Sequence, residues 1–574
     1  MSHPHMLIRQ SGGEPCMTCE EQIYSNEYFD FIVETGQPEP EPVEGECMQP
    51  VDTNFKISYV RREGNPPLSI QNYLYSSIPK CFALLDQSAL EVSGILRMQN
   101  QPTLSLTGQG VLMGFLDTGI AYDNPVFRYP DGSTRIGAIW DQTIAGAPPD
   151  GFLYGTEYTR EAINEALAME DPYERVPSRD GNGHGTFVAG VAAGGADYAA
   201  DFIGAAPDAE LAVVKLKQAK PYLREFYFIP DEAVVYAEND IMTAVAYLRQ
   251  LAERTGKPLV ICIAVGTNMG SHGEVGSLGN YLREVGIRSG NVIVTAAGNE
   301  ANARHHYFGR LEETVQTVEM NVEANVNGFI AEVWARAPER YALTVTSPTG
   351  ESITQKPSIT ESHIEYRFLF ENTFVTIDYR QVGRGRGDQL IYVRFYRPTR
   401  GIWSLQIAGI GDISEAYHIW LPMREMVSGE VFFLRSNPDT TITVPSTEDV
   451  PITVGAYDAR DGSLYIGSGR GYTVDGRVKP DFTAPGVNVY GPEPLGNYVT
   501  RTGTSAAAAV TAGACAQFLE WAVVEAGFNR VNTVETKNFL IRGARRESGR
   551  SYPNREWGYG KLDIYNAFDV LREV

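Results

Sequence analysis

From about residue 110 the chain alternates short apolar runs with helical patterns, and this alternation leaves few folds open to it. The runs are Gly110–Leu116, Leu211–Lys215, Pro258–Val265 and Val292–Ala297. Each has the length of one strand and is apolar at nearly every position, as a strand buried on both faces must be. Between them Gly185–Ala193, Asp231–Ala252 and Gly276–Ser289 read as helices. Strands alternating with helices predict a parallel sheet covered on both faces, an α/β fold.

The alternation stops near Ala303. Gly328–Trp334, Tyr341–Thr346, His363–Phe370, Phe374–Tyr379, Gln389–Tyr396 and Trp403–Ile407 then follow as short alternating strands with almost no helix signal. Strands at this spacing predict an all-β sandwich. The α/β pattern returns at Ile452–Ala456, so the β module is expected as an insertion. Ahead of residue 90, Asp30–Glu34 and Phe55–Val60 read as strands flanking a Pro- and Glu-rich loop, Gly36–Pro50.

Composition narrows the function. Across 574 residues, 48 Lys and Arg against 71 Asp and Glu give a net charge of −23. Such a chain is poorly suited to nucleic acid or an anionic membrane surface. The N-terminus lacks a basic segment followed by a long apolar one, so no secretory signal and an intracellular place are expected. No stretch of 18 residues is apolar throughout; the nearest, Ser505–Phe518, is mostly small residues. Cys16, Cys19, Cys47, Cys81, Cys262 and Cys515 read as free thiols, because no second CxxC or CxxH pair completes a zinc site with Cys16 and Cys19.

Three segments carry chemistry. Gly114-Phe-Leu-Asp117-Thr-Gly119 ends a strand on a carboxylate; Gly181-Asn-Gly-His184-Gly-Thr opens a helix on an imidazole; Thr502-Gly-Thr-Ser505 opens a second helix on a hydroxyl. Taken singly, an Asp-Thr-Gly tripeptide is common and a Ser before an Ala-rich helix is usually an N-cap. Together, the order Asp, His, Ser along a parallel α/β pattern is one of the known triad orders. Ala296-Ala-Gly-Asn299 adds an amide after another strand, and with the Ser505 N–H it would supply two donors to an oxyanion.

On these motifs the chain resembles the subtilisin-like serine proteases, the subtilases, over residues 110–306 and 434–574. The resemblance implies that Ser505 is the nucleophile, His184 the general base and acid, Asp117 its orienting carboxylate and Asn299 the oxyanion donor. The serine segment departs from the family's usual Gly-Thr-Ser-Met-Ala-x-Pro, running Ser505-Ala-Ala-Ala-Ala509 instead. The long N-terminal segment, the β insertion and Pro553-Asn-Arg-Glu-Trp-Gly-Tyr-Gly560 look like the Csp germination proteases of spore-forming bacteria. That subfamily has a prodomain, a subtilase domain and an inserted jelly roll, and it processes the zymogen of a cortex-degrading hydrolase.

By this likeness residues 1–87 are an α+β prodomain, 88–306 and 434–574 the catalytic domain, and 307–433 the jelly roll. Autoprocessing is expected between Gln87 and Ser88, and Ala264, Val265 and Gly266 are expected to wall the primary specificity pocket. The partners expected are a protein substrate and the chain's own prodomain, with no nucleic acid, no membrane span and a monomeric state. No cofactor is expected, and neither a calcium loop nor a metal role for His305 and His306 is read, the pair fitting a place on the surface or at a domain junction better. Asp123 and Asp141 read as turn or capping residues near the Asp117 strand. Two other readings stand beside the endopeptidase: a catalytically silent sensor on the same scaffold, and a general intracellular protease.

Overall fold

The computed structural model describes residues 27–34, 47–50, 55–66, 88–219, 221–273, 277–311, 313–354, 362–382, 388–410 and 416–572. It divides into two compact units, Met1–Leu84 and Leu85–Val574. In the first, β1 (Tyr28–Glu34), β2 (Cys47–Pro50) and β3 (Phe55–Arg61) form an antiparallel sheet with β3 in the middle. Both strands expected there are present. Gln87 lies outside the described residues; Ser88 begins a short helix, Ser88–Val92.

The second unit is built on an eight-stranded sheet. In chain order its strands are β4 (Leu112–Asp117), β5 (Ile136–Asp141), β6 (Thr156–Thr159), β7 (Glu210–Lys215), β8 (Leu259–Ile263) and β9 (Asn291–Ala296), then β21 (Ile452–Tyr457) and β22 (Phe482–Pro485) after the insertion. Across the sheet they run β22-β21-β9-β8-β4-β7-β5-β6, all pairs parallel except the edge pair β5–β6. Successive side chains point to opposite faces. Met113 and Phe115 enter one core with the helices α1 (His184–Ala193) and α5 (Thr504–Leu519). Leu112 and Leu116 enter the other with α3 (Glu238–Thr255) and α4 (Ser277–Gly286).

The start of α3 differs from the expectation. Helix was expected from Asp231, but residues 231–236 belong to a loop that follows the short helix α2 (Pro221–Tyr227). The buried Arg224 guanidinium explains it. Its donors hold the carbonyls of Ala219, Pro230 and Ala233 at 3.1, 2.9 and 2.8 Å, which fixes the segment as a loop.

Helix α5 is long and apolar enough, with its extension to Glu525, to cross a membrane, yet 83% of its most apolar window is buried inside the fold. A helix apolar on all sides is a core helix. Its small residues permit close neighbours: a Cβ on Gly513 would stand 2.2 Å from Ala205 Cβ. Cys262 and Cys515 are buried free thiols.

The insertion is a sandwich of two antiparallel sheets. One has the order β10-β19-β12-β17-β16-β15, from β10 (His306–Arg310), β12 (Gly328–Ala335), β15 (Ser362–Arg367), β16 (Phe374–Val382), β17 (Asp388–Tyr396) and β19 (Ala416–Trp420). The other has the order β14-β13-β18-β11-β20, from β11 (Val315–Val322), β13 (Tyr341–Thr346), β14 (Ser352–Thr354), β18 (Gly401–Gly409) and β20 (Val431–Phe433). Residues of both, among them Phe329, Val393, Leu343 and Leu405, share one apolar core.

The sandwich meets the α/β part of the chain through histidines. His306 Nε2 lies 2.9 Å from His418 Nδ1, and both rings stack on Trp420, whose other neighbour is His272 at 4.1 Å between ring centroids. His305 Nδ1 meets Glu300 at 2.6 Å. Of the surface and junction places expected for His305 and His306, the geometry has the junction, with both side chains buried.

Burial pushes His272 down to about 4 and His418 to about 3, and holds His306 well below the ordinary 6.5. These rings are neutral when folded and take up protons when unfolded, so the stability they confer is present above pH 6.5 and is lost as pH falls from 6.5 toward 4. The melting temperature of the full chain is expected to be flat above about pH 7 and to fall below it, with a shallower fall in His418→Gln.

Candidate active site

Ligands of open α/β sheets bind beyond the carboxyl ends of the strands, and the candidate residues collect at that edge. Asp117 is the last residue of β4; Ala264 follows β8; Asn299 follows β9; His184 and Ser505 stand at the starts of α1 and α5.

His184 Nδ1 lies 2.8 Å from Asp117 Oδ1 and 2.9 Å from Oδ2. Asp117 is almost wholly buried, and its Oδ1 also accepts the Thr118 N–H at 2.7 Å. The Asp117 charge holds the His184 imidazole above its ordinary pKa, against the opposing effect of burial. Gly185 is required beneath this pair, since a Cβ there would stand 2.2 Å from the Gly119 carbonyl oxygen.

The loop that presents His184 is tied by a residue not singled out in the sequence, Asp180. Its carboxylate accepts from Thr118 Oγ1 at 2.8 Å, Gly183 N at 2.8 Å, Thr186 N at 2.9 Å and Thr186 Oγ1 at 2.6 Å. Burial works against the charge, but these hydrogen bonds outweigh it and the pKa is lowered. Its sequence signal was faint: in Asp180-Gly-Asn-Gly-His184 the carboxylate stands three residues ahead of the N-cap Gly183, where an ordinary turn aspartate also stands.

On the other flank, Asn299 Oδ1 accepts from Thr504 N at 3.0 Å and from Thr504 Oγ1 at 3.3 Å. The exposed Asn299 amide therefore stands beside the start of α5, its Nδ2 3.4 Å and its Oδ1 3.6 Å from where a Gly503 Cβ would be. Gly298 adopts φ +90°, and a Cβ there would meet Thr443 at 2.4 Å, so only glycine lets the strand end turn here. Ser505 N–H lies in the first turn of α5, where backbone donors have no intrahelical acceptor. Ser505 Oγ rests 3.4 Å from the Ala264 carbonyl oxygen, which brings the segment Ala264-Val265-Gly266 to the serine. That segment is pinned by the two-way backbone pairing of Thr267 with Val444, each bond 2.9 Å.

Asp141 accepts from Thr143 N at 2.8 Å and Thr143 Oγ1 at 2.5 Å, and Asp123 accepts from Tyr173 at 2.7 Å. Both act as loop braces, as expected of turn residues.

This geometry can support acyl transfer: a hydroxyl, an imidazole fixed through its Nδ1 by a buried carboxylate, and an amide beside a helix start. The Subtilase family model matches residues 108–361 and 404–560, well over half of the chain. The chain belongs to the subtilase family, the subtilisin-like serine endopeptidases. Its structure is similar to that of the Clostridium perfringens CspB protease, with 30% identity and a TM-score of 0.75, over 85% of this chain and 99% of that one. Among curated proteins, mouse membrane-bound transcription factor site-1 protease is 34% identical over 137 residues, and serine protease AprX of Bacillus subtilis is 35% identical over 106. These matches span only 12% and 24% of those two proteins.

Asp180→Ala leaves the Gly183 and Thr186 donors without their acceptor. The expected loss is about 3 kcal/mol, from charge-assisted bonds at roughly 1.5–3 kcal/mol each and partial rescue by water. A lowered melting temperature, and a smaller drop in Asp180→Asn, would show it.

Proposed function

We propose that the chain is a working serine endopeptidase, made as a zymogen and cut in cis between Gln87 and Ser88. The observation that carries this reading is the clasp of His184 Nδ1 on Asp117 at the edge that also holds Ser505 and Asn299. With Nδ1–H held by the carboxylate, Nε2 is left free to take the Ser505 proton as the hydroxyl attacks a peptide carbonyl. The Ser505 N–H and the Asn299 amide receive the oxyanion, and His184 then gives its proton to the leaving amine. Ala264, Val265 and Gly266 line the pocket for the side chain before the cleaved bond.

Residues 1–87 serve as prodomain in this reading, and residues 307–433 as a jelly roll. The likeness to CspB over nearly all of that protein supports a role of the Csp kind: cleavage of a protein zymogen, such as that of a cortex hydrolase, during spore germination. The enzyme would then work as a monomer inside the cell or spore.

Intact mass of the wild-type chain beside Ser505→Ala tests the first claim. Wild type splits near residue 87 and the variant stays whole; two unsplit chains would favour the silent sensor. On a peptide substrate, kcat/KM requires neutral His184. Because Asp117 raises its pKa, the acid limb of the profile is expected above pH 6.5. Asp117→Asn should lower kcat by about four orders of magnitude.

A further inference from the structure

Between the segment 221–228 and the sandwich lies a cleft of about 810 Å³ that plays no part in the chemistry above. Along β17, Val393 and Phe395 point into the sandwich core. Arg394 and Tyr396 alternate with them, so they leave the opposite face of the sheet and line the cleft together with Phe226, Phe228, Arg367 and Arg397.

Its charge runs against that of the chain. In a protein of net charge −23, three guanidiniums face a single carboxylate, Glu225. No ion pair joins any of the three to an acidic side chain among the described residues. Arg367 donates instead to the Asn372 side-chain oxygen, and Arg394 Nη2 to the Phe226 carbonyl at 2.8 Å. Arg394 Nε is buried with no hydrogen-bond partner. The same guanidinium lies 4.5, 5.1 and 5.0 Å from the ring centres of Phe226, Phe228 and Tyr396, so cation and aromatic faces are held together in one wall.

The backbone is also unusual here. Ten non-glycine residues have left-handed φ among the described residues, and three of them, Phe228 at 60°, Asn372 at 55° and Arg397 at 47°, line this one cleft. Such conformations cost energy and gather where a ligand is clamped.

We propose that this cleft binds a small organic carboxylate with a flat apolar body. The guanidiniums match the two carboxylate oxygens, while the rings of Phe226, Phe228 and Tyr396 cover the body. The volume falls in the range of small-molecule sites, roughly 300–1,000 Å³.

The test uses the full chain carrying Ser505→Ala, which prevents self-cleavage, and isothermal titration with three probes: 1-naphthoate, 1-naphthamide and inorganic phosphate. Saturable binding of one naphthoate per chain is expected, with naphthamide and phosphate each weaker by roughly tenfold or more. The double variant Arg367→Gln/Arg397→Gln changes two exposed side chains. It is expected to keep the parent melting temperature and to weaken naphthoate by roughly tenfold or more. The proposal is overturned by absent saturation with naphthoate or by unchanged affinity in the double variant. Equal binding of naphthamide removes the carboxylate requirement, and equal binding of phosphate removes the apolar one; either result also overturns it.

Discussion

The candidate site depends on how closely backbones are allowed to approach. Asp117 and His184 can meet because the residue after the histidine has no side chain: with a Cβ on Gly185 the helix would be driven off the Gly119 carbonyl. Helix α5, which carries Ser505 in its first turn, sits deep in the core for the same reason, with Gly513 against Ala205. Packed interiors do not absorb such overlaps cheaply. The runs of Ala and Gly after His184 and Ser505 are therefore what bring a strand end and two helix starts to one place.

Polar and aromatic groups join the insertion to the α/β part of the chain. Glu332 of β12 accepts the Gly270 N–H at 3.0 Å, Asn268 donates to the Leu421 carbonyl at 3.2 Å, and Trp420 stacks against His272 at the centre. Four of the chain's eight histidines, His272, His305, His306 and His418, are spent on this contact. A buried junction of neutral imidazoles is directional, because each ring nitrogen must find a donor or an acceptor. That favours one orientation of the sandwich over sliding alternatives.

Much of this was legible in the sequence. The central strands announce themselves because burial on both faces leaves an unbroken apolar run, and all five read in the catalytic part, from Gly110 to Ala456, are strands of the sheet. The three segments bearing Asp117, His184 and Ser505 were readable because their glycines are demanded by sterics and their reactive groups by chemistry. What escaped depends on contacts between distant residues. The late start of α3 comes from the reach of Arg224 across its own loop. Asp180 looks like any turn aspartate until Thr118 and Thr186 are seen around it. The histidine stack needs β10, β19 and the loop after β8 to converge, and no local pattern in any of them says so.

The parallel pair β9–β21 carries a consequence for how the molecule is made. Its two strands hydrogen-bond side by side, yet Thr295 and Thr453 are 158 residues apart in the chain, with the whole sandwich between them. The sandwich has its own core and is complete in sequence before β21 leaves the ribosome. The nascent sheet therefore waits with one edge of β9 open until the insertion has emerged, and Ser505 comes later still. Order of synthesis thus lets Asp117, His184 and Ser505 come together only after the sandwich has been made, a sequence of events written into topology rather than into any single contact.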